Sequence, residues 1–338
     1  MLLRVVLGCT LVLVAAELLL RFVLAGPLPY EFDPRYGKVG RPGAALVQAD
    51  EGYFNGRLNR LGHVDEEPRP PGERRRILVL GDSQTAAREV PLAGSFANRL
   101  EPLLDADVEN AGVVGWSPVN NAAYLHDVVS ELRPSDVVVQ LSGGDFDDLQ
   151  EDHRIHLVRT STGFSVELPA RQLEVGKLRA AARKGMRSSA LATHVVRRVG
   201  LLAAEQATRL REHFRGPSPP EQPCGALPEQ WTVDAVRSLV EDMKADAPSM
   251  VALYLPRLSY REGCVDLCAR RGDILRGLVA QVGIPLVDPT AALCADFAES
   301  GQPGTGFANS NLGEGHFNSR GHTVIARELA AELDRSRL

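Results

Sequence analysis

A chain of 338 residues, 44% hydrophobic and 24% charged, has the content of a globular protein of one large or two modest domains and is long enough to bury a core. Its formal net charge of -5 offers no basic stripe, so there is no electrostatic case for a nucleic-acid partner.

Residues 1–26 carry Arg4, an apolar run over 5–16, then Glu17 and Arg21 among further apolar residues. The uninterrupted run is of signal-peptide length. The stretch reaches spanning length only with Glu17 and Arg21 inside it, four apart and placed to pair on one helix face. Export is the reading, with a retained N-terminal membrane anchor expected ahead of cleavage at Val23-Leu24-Ala25. Residues 27–75, rich in proline, glycine and charge and without sustained periodicity, read as an extended lead-in and linker, with Asn59-Arg60-Leu61-Gly62-His63 inside it.

From Ile77 the pattern alternates between strand and helix. The run Arg76-Ile77-Leu78-Val79-Leu80 ends abruptly in Gly81-Asp82-Ser83, a buried strand that delivers a serine to its C-terminal edge. A helix over 91–104 and a short strand at 108–112 follow, the latter running into a turn at 113–117. Next come a helix over 118–132 with proline in its first turn and a strand at 137–141 that ends in Ser142-Gly143-Gly144-Asp145. Such alternation implies a parallel sheet with right-handed crossovers, its ligand site at the C-terminal ends of the strands, so the three glycine-bearing turns converge on one edge.

Residues 150–228 break the rhythm and read as an insertion or lid: a hairpin over 155–168, an arginine- and alanine-rich helical region over 171–214, and a loop containing Cys224. The α/β pattern resumes with a helix at 232–245, a strand at 249–254, a helix ending at 282, a short strand at 285–288 and a last helix over 319–333. Apart from Cys9, the cysteines are Cys224, Cys264, Cys268 and Cys294, an even number that predicts two disulfides in an oxidising compartment, with all three pairings open. No CxxC pair or spaced histidine pair accompanies them, so no metal is expected. Neither a Walker loop nor a dinucleotide fingerprint is present, and no cofactor is inferred.

Just before the last helix stands Gly313-Glu314-Gly315-His316, in a loop predicted to emerge at the same edge as Ser83. A serine is a weak nucleophile until an adjacent base takes its proton, and that base works best when a third group fixes its tautomer. Ser83, His316 and Glu314 fill those roles.

Taken in order, these blocks resemble the SGNH, or GDSL-type, hydrolase family. Gly81-Asp82-Ser83 is similar to its nucleophile block, and Asn110-Ala111-Gly112-Val113-Val114-Gly115 to the second block. Ser142-Gly143-Gly144-Asp145 is similar to the third and Glu314-Gly315-His316 to the block of the catalytic histidine. Glu17 to Arg21 and Asn59 to Gly62 resemble features of an exported, membrane-anchored subgroup. The resemblance implies a flavodoxin-like three-layer α/β/α fold, an oxyanion hole at Ser83, Gly115 and Gly144, and supporting roles for Asp82 and Asp145. It also implies a serine esterase acting on O-acyl groups of cell-envelope or secreted carbohydrate, or on lipid esters. A polysaccharide O-acyltransferase and a catalytically impaired glycan-binding relative are the alternatives.

Two positions depart from the family pattern. Gly144 stands where an asparagine usually donates to the oxyanion, a loss worth on the order of 100-fold to 1000-fold in rate. Gly313 stands where the family's acid usually lies three residues before the histidine; Glu314, two before, matches the arrangement of related exported members with a longer side chain.

Overall fold

A computed structural model describes residues 29–151 apart from 34, 71 and 73, residues 156–160, 163–167 and 224–335 apart from 248 and 262, and positions 8, 10–15 and 17. Most of the predicted anchor, and the helical part of the predicted insertion with it, lies outside the described residues. Among the described residues no helix is long and apolar enough to cross a membrane. The chain divides into two units, one of Met1–Pro29 with Leu168–Glu221 and one of Tyr30–Glu167 with Gln222–Leu338. The second carries everything that follows.

The lead-in is not extended chain: it folds into two antiparallel hairpins. Strand β1 (Tyr30–Asp33) pairs with β2 (Gly37–Gly40), and β3 (Ala45–Gln48) with β4 (Phe54–Arg57). Four-residue strands are too short to display a period, which is why the pattern did not announce them. Leu46, Phe54, Leu58 and Val64 nevertheless bury together as a small satellite core.

The main domain begins with β5 (Arg76–Leu80), whose five residues are all buried, followed by the single-turn helix α1 (Ser83–Ala86). The helix expected over 91–104 is broken. A 3₁₀ turn at Leu92–Gly94 precedes α2 (Phe96–Leu104), because Ser95 takes an extended conformation and caps α2, its hydroxyl accepting from the Asn98 amide. Then come β6 (Asp107–Asn110), α3 (Pro118–Leu132) and β7 (Asp136–Ser142). Pro118 opens α3, and Ser117 and Asn120 form its capping box. Helix α4 (Asp145–Glu151) leads to the expected hairpin, β8 (His156–Thr160) against β9 (Gly163–Glu167).

After the insertion come α5 (Gln230–Asp246), β10 (Met250–Leu255) and a two-residue pairing of β11 (Leu258–Ser259) with β12 (Val265–Asp266). The chain ends with α6 (Ala269–Val282), β13 (Leu286–Val287), α7 (Thr290–Ser300) and α8 (Ser319–Arg335). Helix α7 buries only Leu293 and so leaves no apolar stripe in the sequence.

One parallel sheet organises the domain, in the order β13-β10-β7-β5-β6. Alternation along the strands divides its side chains between two faces. Leu78, Leu80, Val137, Val139, Leu141, Ala252 and Tyr254 pack against α3, α5 and α6, while Ile77, Val79, Val138, Val251 and Leu253 pack against α2 and α8. Helices on both faces make three α/β/α layers in the flavodoxin-like strand order. The chain leaves β5 for β6 on one side and returns to β7 on the other. The C-terminal end of β5 is therefore the topological switch point, where sheets of this kind hold ligands.

The four cysteines of the second half form Cys224–Cys268 and Cys264–Cys294, with Cα separations of 4.9 and 5.2 Å. Disulfides form and persist in oxidising compartments, so this domain has the chemistry of an extracellular or periplasmic one.

Candidate active site

Strand β5 hands the chain to Ser83 through a turn with no space to spare. A Cβ on Gly81 would lie 2.1 Å from Thr85 Oγ1 and 2.6 Å from Gln140 Oε1. Asp82 N donates to Gln140 Oε1 at 2.9 Å, and Asp82 Oδ1 accepts from Gln84 N at 2.7 Å, capping α1. Asp82 thus builds the turn that presents Ser83, and burial raises its carboxyl above the usual range.

His316 meets that serine. Its Nε2 is 3.0 Å from Ser83 Oγ although 233 positions separate the two. The loop carrying it is fixed by Phe317 N donating to Gln84 Oε1 at 3.2 Å and by Asn318 Nδ2 donating to the carbonyls of Pro303 and Gly306 at 2.9 and 3.1 Å.

The carboxylate behind the ring is Glu51, not Glu314. Glu51 Oε2 lies 2.6 Å from His316 Nδ1, and Oε1 accepts from the His316 amide at 2.7 Å. A carboxylate only accepts, so Nδ1 carries the ring proton and Nε2 is left as the acceptor for the Ser83 hydroxyl. Glu314 pairs elsewhere: Arg261 Nη2 donates to its Oε1 at 2.8 Å and Asn311 Nδ2 to its Oε2 at 3.3 Å. Gly313 and Gly315 flank it at φ values of 87° and 86°, and these two left-handed turns separate its course from that of the histidine.

Glu51 is a residue that reading the sequence missed, because it belongs to the loop between β3 and β4. That loop is itself tied to the domain. Asn309 Nδ2 donates to the carbonyls of Ala49 and Gly52 at 3.0 and 2.9 Å, Gly52 N donates to Asn309 Oδ1 at 2.9 Å, and Tyr53 N donates to the Glu89 carbonyl at 2.9 Å. A Cβ on Gly315 would sit 2.2 Å from Glu51 Oε1, so the glycine before the histidine is what admits the carboxylate. The one local sign was the glycine pattern around His316, which marked a close approach without naming its partner.

The other expected residues fall into two groups. Asn110 anchors the second block: its Nδ2 donates to the Thr85 carbonyl at 2.9 Å and its Oδ1 accepts from Gly112 N at 3.1 Å, locking this loop to α1. Gly115, exposed and at φ 81°, ends that loop. In the third block Asp145 is a turn pin, buried, with Oδ2 accepting from Ser142 N at 2.7 Å. Gly144 N donates to Ser142 Oγ at 3.3 Å, and a Cβ there would meet nothing nearer than that hydroxyl at 3.5 Å. Arg271, buried in α6, braces the same turn, donating from Nη1 to the Gly143 carbonyl at 3.1 Å and to Asp147 Oδ2 at 2.6 Å. Among the described residues no group of three or more His, Cys, Asp or Glu side chains is placed to hold a metal ion.

No family model matches the sequence, and no curated protein matches it. Solved structures similar to the chain include a catalytic mutant of an acetylxylan esterase from Geobacillus stearothermophilus, at 13% identity and TM-score 0.42 over 78% of this chain and 96% of that one. Others are a lipase/acylhydrolase from Enterococcus faecalis, at 12% identity and TM-score 0.40 over 78% and 96%, and a family 3 carbohydrate esterase from Clostridium thermocellum, at 10% identity and TM-score 0.39 over 78% and 97%.

Proposed function

We propose that this chain is a serine esterase of the SGNH, or GDSL, type that hydrolyses O-acyl esters on cell-envelope or secreted carbohydrate. The observation that carries the reading is the relay of contacts from Ser83 Oγ through His316 Nε2, at 3.0 Å, and His316 Nδ1 to Glu51 Oε2, at 2.6 Å. Ser83 Oγ attacks the ester carbonyl as its proton passes to His316 Nε2, and Glu51 stabilises the imidazolium that forms. The backbone amides of Ser83, at the start of α1, and of Gly115 receive the oxyanion; Gly144, whose own amide donates to Ser142 Oγ, brings no side-chain donor. His316 returns the proton to the leaving sugar hydroxyl, and water then takes the acyl group by the same relay in reverse.

The carbohydrate substrate comes from the resemblance of the four blocks. We place the catalytic domain outside the cytoplasm, as its two disulfides suggest, and residues 1–26 as its membrane anchor. The test is labelling of the full-length chain by a fluorophosphonate probe, with acetate release from an acetylated polysaccharide measured in parallel. Labelling that disappears in Ser83→Ala, together with acetate release, supports the proposal. A wild-type chain that takes no label refutes it, and acyl transfer to an added oligosaccharide in place of release assigns the acyltransferase alternative.

A further inference from the structure

We propose that Glu89 is a second carboxyl group acting on His316, a positioning residue that supports the imidazole from the Glu51 side, away from Ser83. The inference rests on the esterase reading of the site and adds a residue to it. Glu89 Oε1 lies 3.9 Å from His316 Nδ1, and the Glu89 side chain is 1% exposed. Arg88 Nε donates to Oε1 at 3.2 Å, whereas Oε2 is buried with no hydrogen-bond partner among the described residues.

The same backbone holds both carboxyl groups in place. The Glu89 carbonyl accepts from Tyr53 N at 2.9 Å, and Gly52, next to Glu51, lies so close to that carbonyl that a Cβ would meet its oxygen at 2.0 Å. The ionisable groups facing this pair are Arg88, Glu51 and Tyr30 around Glu89, with Asp82 and His322 also acting on His316. Burial raises the Glu89 carboxyl, and His316 and Arg88 oppose that rise.

A buried carboxyl oxygen without a donor is costly in the resting enzyme. The cost of burying the carboxyl group falls when His316 takes the Ser83 proton and becomes a cation 3.9 Å from Oε1, the oxygen that Arg88 also binds. An interaction stronger in the reacting state than in the resting one accelerates the reaction without tightening substrate binding. Glu89 therefore acts on kcat and leaves KM unchanged.

The experiment compares wild-type, Glu89→Gln and Glu89→Asp chains at full length. NMR resonances of the His316 ring, recorded at a single pH, are set beside ester hydrolysis. Glu89→Gln, which keeps an acceptor for Arg88, is expected to shift the ring Nδ1–H resonance and to lower kcat about tenfold with KM unchanged. Glu89→Asp, which keeps the charge, restores most of kcat. Ring resonances and kcat in Glu89→Gln equal to wild type, or a change confined to KM, overturn the proposal. A wild-type chain that hydrolyses no ester removes the esterase reading instead, and the ring resonances still decide the role of Glu89.

Discussion

Replacing Glu51 by glutamine separates the carboxylate that the structure assigns from the one that sequence proximity suggests. The His316 amide, 2.7 Å from Oε1, needs an acceptor, so the new amide oxygen stays there and its NH2 group faces Nδ1, where Oε2 now lies at 2.6 Å. That favours the tautomer with the proton on Nε2, which cannot accept from Ser83. The charge is lost as well: opposite unit charges about 4 Å apart at an effective dielectric of about 20 attract by roughly 4 kcal/mol, or about a thousandfold in rate. With the wrong tautomer added, kcat for p-nitrophenyl acetate is expected to fall by about 1000-fold to 10000-fold, and fluorophosphonate labelling to slow in step. Glu314→Gln breaks only a partly exposed pair with Arg261, so it is expected to leave kcat within about twofold and to cost at most about 1 kcal/mol of stability. Glu51→Gln keeping more than about a tenth of wild-type turnover, or Glu314→Gln losing as much as Glu51→Gln, would refute the pairing of Glu51 with the catalytic base.

Gly315→Ala places a methyl 2.2 Å from Glu51 Oε1 at a φ of 86°, so activity is expected to fall at least tenfold and unfolding to become about 1 to 2 kcal/mol easier in a urea titration. Gly144→Asn has room for its Cβ and restores a side-chain donor to the third block; turnover is expected to rise up to about tenfold, and an unchanged rate would mean the new amide does not reach the oxyanion. His322 is buried in α8, its Nδ1 accepting from the Phe96 amide at 3.3 Å, and burial lowers its pKa from 6.5 to about 3. The unfolded chain therefore binds the extra proton between those values, and stability falls as pH drops below about 6.5. This one group is expected to cost about 2 kcal/mol between pH 7 and pH 5, a loss that urea titrations should find missing in His322→Gln.

The sheet, and the two loops it brings together at Ser83 and His316, were legible because they obey short-range rules. Four buried apolar residues ending in Gly81-Asp82-Ser83 mark a strand and its turn, and a histidine that follows a glycine shortly before a helix start marks a loop at the same edge. The third member was not legible. Nothing local distinguishes Glu51 from the other acids of the lead-in; its position is set by Asn309 and Glu89, which hold its loop at Gly52 and Tyr53, and by the missing side chain of Gly315, all met only in the folded chain. Glu314 was the natural candidate by separation along the chain, but flanking glycines in the left-handed region let a chain reverse between neighbours, and separation then says little about direction. The break at Ser95 is a smaller case of the same kind. A continuous apolar spacing carried the pattern across a residue whose hydroxyl serves the backbone better as a cap than inside a helix.

Glu51 and His316 stand 265 positions apart, at opposite ends of the domain's sequence. During synthesis Ser83 emerges 233 positions ahead of the histidine proposed to take its proton, so a chain cut short between them has no armed serine. On the proposed reading, chemical competence arrives when the loop carrying His316 packs against Ser83. A protein that crosses a membrane unfolded would travel inert, becoming reactive only on the side where its polypeptide closes upon itself.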